Sequence, residues 1–461
     1  MRPQNGETVY KLIHSQEMVE YMWRYTVHTQ ATQIPSSVAF DEELDFQLLA
    51  RAVNIEIRRN DCLRLRIFRD GFRIKEFFLE DYRLDRILCK EFSSIEEQEA
   101  FFDKDASKEL KVFDGETFRV IFFRGWNGKS GVYLNVSHMV MDFVAVFIFF
   151  RDLFSVYDSL KHGKPLPRPL SKYEDIIRKE QNDPALEERL KREQSILWDW
   201  VDMGRRPVYN AINGPSVLDR QSKLLHKKDL NMPFVYIPLK DSTHLLKLRL
   251  SKEDSDKISA FVEENHLSAE WLIQLCFRLY LSKINHGEND TLFWVLCPRR
   301  KTVREKRCGG TLASPMPWRE IFSDTQTFMQ AISQMAETQA FLFRHSDIPF
   351  TMMRENEMNL WNLSLMQSPN SMMYSHLPLD KKTFGGKTYE FSGYNLGYYV
   401  IPVYAITMQD PESGCFVFSY IHRLWLSSDD DVRAFHDGVV RTLLAGIKSP
   451  DKTLKELSEE I

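Results

Sequence analysis

Along the first 170 residues the apolar positions follow two periods. Residues 47–57 set Leu48, Leu49, Val53 and Ile57 at helical spacing, which predicts a helix. Residues 62–68 alternate apolar and polar, and with residues 118–123 and 132–136 they predict strands. Residues 143–160 form an apolar helical run that stops near His162-Gly163. Pro165, Pro167 and Pro169 then predict a surface crossover.

A charged bridge follows over residues 171–204. Asp183-Pro184 suits an N-cap followed by proline at the first helical position. Leu186, Leu190, Leu197 and Val201 then make one apolar stripe. Residues 205–228 are polar and interrupted by Pro and Gly, and are expected to be loop. From about Phe234 the alternation of strand and helix resumes. Ser251-Lys252-Glu253-Asp254 opens one helix in capping-box style. Ser268 opens a second, carrying Leu272, Leu275, Cys276 and Leu279 and closed by Gly287. Residues 291–297 read as a strand, 325–343 as an amphipathic helix, 389–406 and 415–425 as strand-rich, and 429–447 as a last helix. The expectation is an α/β (α+β) protein of two similar lobes, residues 1–172 and 231–461, joined by a bridge over 173–230.

The composition narrows the class. Hydrophobic residues at 43% and charged residues at 27% suit a soluble globular chain, and 461 residues exceed one ordinary core. A net charge of -4 gives no reason to expect nucleic acid or an anionic membrane as partner. The apolar run over residues 143–150 ends at Arg151, far short of the about 20 residues a bilayer needs. The polar N-terminus lacks a signal-peptide core. The six cysteines form no CxxC pair and no histidine cluster accompanies them in sequence, so neither a metal nor a disulfide framework is expected. A cytoplasmic monomer is the expectation.

Candidate chemistry concentrates in Ser137-His138-Met139-Val140-Met141-Asp142-Phe143, between a strand and the apolar helix. A histidine with an unperturbed pKa of about 6.5 can take and return a proton near neutrality. Asp142 equally suits the N-cap of the helix that starts at Phe143.

Further marks stand in order around that motif. They are Leu12-Ile13-His14-Ser15-Gln16, Arg59-Asn60-Asp61-Cys62-Leu63-Arg64, Tyr173-Glu174-Asp175 with Trp198 downstream, Pro298-Arg299-Arg300, Cys308-Gly309-Gly310-Thr311-Leu312, and Arg344-His345-Ser346-Asp347-Ile348-Pro349-Phe350. Together they resemble the condensation domain of nonribosomal peptide synthesis, within the chloramphenicol acetyltransferase-like superfamily, whose signature is His-His-x-x-x-Asp-Gly. The resemblance covers essentially the whole chain. It implies two lobes arranged as a V, with the active histidine at their junction in a tunnel. It implies an acyl donor on a carrier protein's phosphopantetheine arm (or on CoA), an amine acceptor, and no cofactor bound by the chain itself. By the same resemblance His138 is the catalytic residue, and Asp142 braces the loop through an arginine. Arg64, which matches the family's Leu-Arg mark, is the expected partner. Ser137 stands at the first histidine as a structural neighbour, and Phe143 replaces the glycine as a pocket-lining candidate.

Nothing in the chain resembles an adenylation domain. Gly309-Gly310-Thr311-Leu312 and Gly385-Gly386-Lys387-Thr388 lack a carrier serine. Carrier proteins are therefore expected in trans, with a free-standing amide-forming enzyme as the reading. The alternatives are an O- or N-acyltransferase with a soluble acceptor, and a catalytically retired docking protein. Arg299-Arg300-Lys301 with Arg304 and Arg307 is read as a solvated charged loop rather than a carrier-docking patch. His345 is read as part of a structural turn, and Trp198 and Trp200 as anchors of the bridging helix.

Overall fold

A computed structural model of the protein describes residues 1–4, 6–26, 28–226, 242–364, 367–380 and 382–461. The first half runs β1 (Val9–Lys11), α1 (His14–Tyr25), β2 (Gln33–Phe40), α2 (Phe46–Arg59), β3 (Leu65–Asp70), β4 (Arg73–Phe78), β5 (Leu88–Glu91), α3 (Ile95–Ala106), β6 (Phe118–Arg124), β7 (Ser130–Ser137) and α4 (Phe143–Lys161). The bridge holds α5 (Tyr173–Gln181), α6 (Leu186–Asp202) and α7 (Ser216–Leu225). The second half runs β8 (Thr243–Arg249), α8 (Lys252–Glu264), α9 (Ala269–Ile284), β9 (Asp290–Cys297), β10 (Ser314–Ile321), α10 (Phe328–Arg344) and α11 (Phe350–Leu360). It finishes with β11 (Met372–Leu377), β12 (Tyr389–Gly393), β13 (Val403–Gln409), β14 (Phe416–Arg423), α12 (Asp429–Lys448) and α13 (Leu454–Glu460).

Three sheets result, in the orders β1-β4-β3, β12-β2-β7-β6-β5 and β10-β9-β11-β13-β14-β8. β7 is the central strand of the second, antiparallel to β2 on one edge and to β6 on the other. Both its faces are covered, so every position is buried. Val132, Leu134 and Val136 enter the main core, while Tyr133 stacks on Phe102 of α3 at 4.5 Å in a smaller aromatic core. α2 lies against α4. It starts at Asp45, whose carboxylate accepts from the Gln47 and Leu48 amides, and it buries Leu49, Ala52, Val53 and Ile57.

β12 belongs to the first half's sheet although it lies between two strands of the second half. It pairs antiparallel with β2, Phe391 opposite Val38. The stretch expected to be strand-rich over residues 389–406 is thus two strands in two different sheets.

Three local expectations are corrected. Within 205–228, α7 forms where loop was expected, because Gly214-Pro215 starts a helix there rather than breaking one. Residues 227 and 228, Phe234 and the boundary at 230/231 lie outside the described residues. α6 starts at Leu186 with Ala185 as its cap; Asp183 supports that turn from upstream, accepting from the Ala185 amide and pairing with Arg189. Asp61–Arg64 is a 3-10 turn, not strand, since the Asp61 carboxylate is held by the Tyr173 and Glu174 amides.

Candidate active site at the junction of the two halves

The loop after β7 is held from every side. The Ser137 amide donates to Thr117 O at 2.9 Å and the His138 amide to Thr32 O at 2.7 Å, which extends the pairing with the flanking strands past the end of β7. The Val140 and Met141 amides return to Ser137 O, and Ser137 Oγ accepts from the Met139 amide at 3.3 Å. A hydroxyl therefore satisfies the turn at the position of the family's first histidine. Met139, Val140 and Met141 are fully buried, and Gln16 of α1 donates to Met139 O at 3.0 Å.

Asp142 is fully buried and accepts four hydrogen bonds. Oδ1 takes the Ala145 amide at 2.8 Å and so caps α4. Oδ2 takes the Leu312 and Ala313 amides, each at 2.8 Å, and Arg300 Nη1 at 2.6 Å. Burial opposes ionisation, but Arg300 and these amides outweigh it and hold the carboxyl below the usual carboxylate range. The partner expected from sequence was Arg64. That residue instead donates to the Leu79 and Glu80 carbonyls and serves the β4 end of its own sheet. Arg300 also donates to Gly310 O at 2.7 Å and is buried, so the basic run from Arg299 is not simply a solvated loop. Arg299 reaches Ser15 and Asp347, and Arg307 donates to the Arg168 and Pro169 carbonyls.

The segment 308–313 carries Arg300's carbonyl partner and the two amides under the loop. Thr311 Oγ1 donates to His138 O, and the Thr311 carbonyl accepts from Tyr173 Oη at 3.0 Å. A Cβ on Gly310 would stand 2.0 Å from the Tyr173 ring, so only glycine admits this approach.

His138 borders a cavity of about 390 Å³ between the two halves. It is half-buried at the cavity wall, and burial pulls its imidazole below the ordinary 6.5, with Asp142 and its own carbonyl partly opposing. Among the described residues its Nδ1 has no hydrogen-bond partner of good geometry. The cavity walls are mostly apolar and aromatic, with Trp294, Phe350, Met373, Phe391, Tyr399 and Ile401 among them. Phe143 also borders the cavity, its ring 5.0 Å from Phe147 and 5.6 Å from Phe391 of the crossing strand β12. Phe149 and Phe150 point into the core. One end of the cavity carries exposed Glu99, Lys247 and Arg249; α1 walls it with Met18, Tyr21 and Met22.

The other histidines noted in the sequence have ordinary partners. His14 lies 3.3 Å from Glu180, His28 lies tilted against Tyr398 with ring centroids 4.2 Å apart, and His345 Nδ1 is 2.7 Å from Glu193. Trp198 packs edge-on against Trp361, and Trp200 lies tilted against Phe341, which pins α6 to the second half. Sequence reasoning missed Arg300, Gln16 and Phe391 as parts of the site. Arg300 was visible only within the Pro298-Arg299-Arg300 mark, and nothing local marks Phe391, because strand exchange brings it there.

Residues 6–459 match the Condensation domain family, and the chain belongs to it. It is 21% identical to a plipastatin synthase polypeptide of Bacillus subtilis (strain 168) over 98% of this chain and 17% of that protein. The chain thus spans about a sixth of this curated relative's length. The first condensation domain of the calcium-dependent antibiotic synthetase, solved with a substrate analogue, superposes with a TM-score of 0.79 at 15% identity, over 98% of this chain and 99% of that one. The starter condensation domain of rhizomide synthetase, solved with C8-CoA, gives 0.78 at 11% identity over 97% of each chain. The fold is therefore the chloramphenicol acetyltransferase-like one. Among the described residues no helix is long and apolar enough to cross a membrane.

Proposed function

We propose that this chain joins an acyl thioester to an amine and releases an amide, as a condensation enzyme of nonribosomal peptide or lipopeptide synthesis. The observation that carries the reading is His138 at the wall of an apolar cavity, on a loop locked by Asp142 and Arg300. In the reaction the amine nitrogen attacks the thioester carbonyl, a C–N bond forms and the C–S bond breaks. The amine proton passes to the neutral imidazole and leaves with the thiol, so the histidine is restored. Burial favours the neutral imidazole this requires. The mostly apolar walls orient the reactants and limit the access of water to the thioester. The thioester arrives on a carrier protein's phosphopantetheine arm, and the chain itself contributes no cofactor. Ser137 and Asp142 hold the loop, and Phe143 shapes the cavity.

A second reading, acyl transfer from CoA or a carrier to a soluble alcohol or amine, is supported by the single histidine of the motif. An intact-mass assay separates the two. Carriers loaded with a panel of acyl groups are offered carrier-bound and free acceptors, with wild type and His138→Ala in parallel and circular dichroism confirming both are folded. Product on a carrier-bound amine, made by wild type and not by His138→Ala, supports condensation. Product only on free acceptors supports the second reading. Equal yields from both proteins remove His138 from the mechanism, and carrier binding without product points to a retired docking protein.

A further inference from the structure

On the side of the large sheet away from the cavity, β8 and β14 set His244 directly opposite His422. Facing residues on paired strands project to the same side with Cβ atoms about 4.5–5.5 Å apart, and here the ring centroids lie 6.0 Å apart. Asp429, the first residue of α12, brings Oδ1 to 2.7 Å from His244 Nδ1 and 2.9 Å from His422 Nε2. One oxygen and two ring nitrogens thus converge within 4.8 Å of one another. We propose that these three residues form a divalent-metal site of the zinc class, two imidazoles and one carboxylate, with water completing the coordination.

The surroundings suit a metal. His422 is fully buried, and its Nδ1 lies 3.3 Å from the Ser427 carbonyl and 3.2 Å from Ser427 Oγ. If Nδ1–H donates to that carbonyl, Nε2 presents a lone pair to a carboxylate oxygen. A cation between the two turns that repulsion into two bonds, and the carbonyl fixes the tautomer as an outer partner does in metal sites. His244 and Asp429 are partly exposed, which leaves an entry path and room for water. Imidazole with carboxylate favours Zn²⁺, Co²⁺ or Ni²⁺ over the all-oxygen shells of Mg²⁺ and Ca²⁺. The positive end of α12 opposes a cation, and Asp430 and Asp431 in its first turn offset this. Without metal, Nε2–H would donate to Asp429 and Ser427 Oγ–H to Nδ1. His422 and Asp429 lie seven residues apart in the chain, and the pairing of edge strand β8 with β14 brings the distant His244 to them. A bound metal would fasten the edge strand β8 to the start of α12.

The test uses the full chain without an affinity tag, titrated with Co²⁺ and then with Zn²⁺. The expected result is one equivalent of Co²⁺, with visible d–d absorption and no thiolate charge-transfer band, displaced by Zn²⁺. His244→Ala and Asp429→Asn, both surface changes checked by circular dichroism, should each weaken Zn²⁺ binding by about tenfold or more. Zn²⁺ should raise the thermal midpoint of wild type and not of the variants. Unchanged affinity in both variants, a thiolate band, or no saturable uptake by wild type would each overturn the site.

Discussion

Arg300 Nη1 meets Asp142 Oδ2 at 2.6 Å with both side chains buried, and this ion pair ties the loop of one half to a segment of the other. Removing one member strands a buried charge. Asp142→Ala is therefore expected to cost about 3–5 kcal/mol of stability, and Arg300→Met to cost less, since the Asp142 carboxylate keeps three amide donors. In the double variant the two costs should be far from additive. Chemical denaturation of the four proteins measures this, and additive losses would show that the pair is not coupled.

His138 should act from its neutral form. Because burial lowers its pKa in the folded protein, the neutral form is favoured above the folded value, and the associated stability is lost as pH falls towards it. The acidic limb of kcat/KM is thus expected below pH 6.5. His138→Ala should reduce the rate by about 100- to 10,000-fold. A limb above 6.5 that survives in His138→Ala would assign the titration to another group.

Much of this was legible in the sequence because it is local. The α2 stripe, the β7 run, the His138–Asp142 spacing and the helix starts at Ser251 and Ser268 are each set by residues within a few positions of one another. The Asp142 partner was not legible, because charge pairing depends on which arginine the fold delivers. Arg64 and Arg300 look alike in sequence, and only the path of 308–313 under the loop selects Arg300. Phe391 was hidden for a related reason: its strand reads as part of the second half and pairs in the first. The His244, His422 and Asp429 cluster arises from cross-strand register, which no single stretch of sequence states.

Glu76 is buried and bonded to Gln16, which also holds Met139 of the loop. Burial pushes its carboxyl up to about 8, Gln16 partly opposing. A raised folded value means that the stabilisation is full at low pH and is lost as pH rises through about 8. Glu76→Gln keeps an acceptor for Gln16 and cannot ionise. Its thermal midpoint should climb relative to wild type as pH rises from about 4.5 to about 8 and hold that lead above it, while the two differ least near pH 4. Parallel curves across the whole range would mean that Glu76 does not titrate there.

Phe143 lines the cavity with Phe391, and its ring packs on Phe147 behind. Replacing it by the glycine of the family signature removes a large ring and costs at most about 0.5 kcal/mol of helix propensity at the start of α4. Phe143→Gly should therefore shift the preferred acyl or acceptor group towards bulkier members of a thioester and amine panel. Phe143→Leu should shift it less. An identical preference profile for all three proteins would place the reacting groups elsewhere in the cavity.

Gly310 and Tyr173 touch so closely that any side chain at 310 must move one of them. A Cβ there would lie 2.0 Å from the ring, whereas one on Gly393 meets nothing within 4 Å. Gly310→Ala is expected to destabilise by about 1–3 kcal/mol through overpacking, and Gly393→Ala to have little effect. The displacement should also reach the Leu312 and Ala313 amides on Asp142, so activity should fall further than stability alone explains. In a Tyr173→Ala background the same glycine change should cost much less, because the ring it collides with is gone. A cost that is the same in both backgrounds would place the strain of Gly310→Ala in the backbone, and the contact with Tyr173 would then not be what demands glycine.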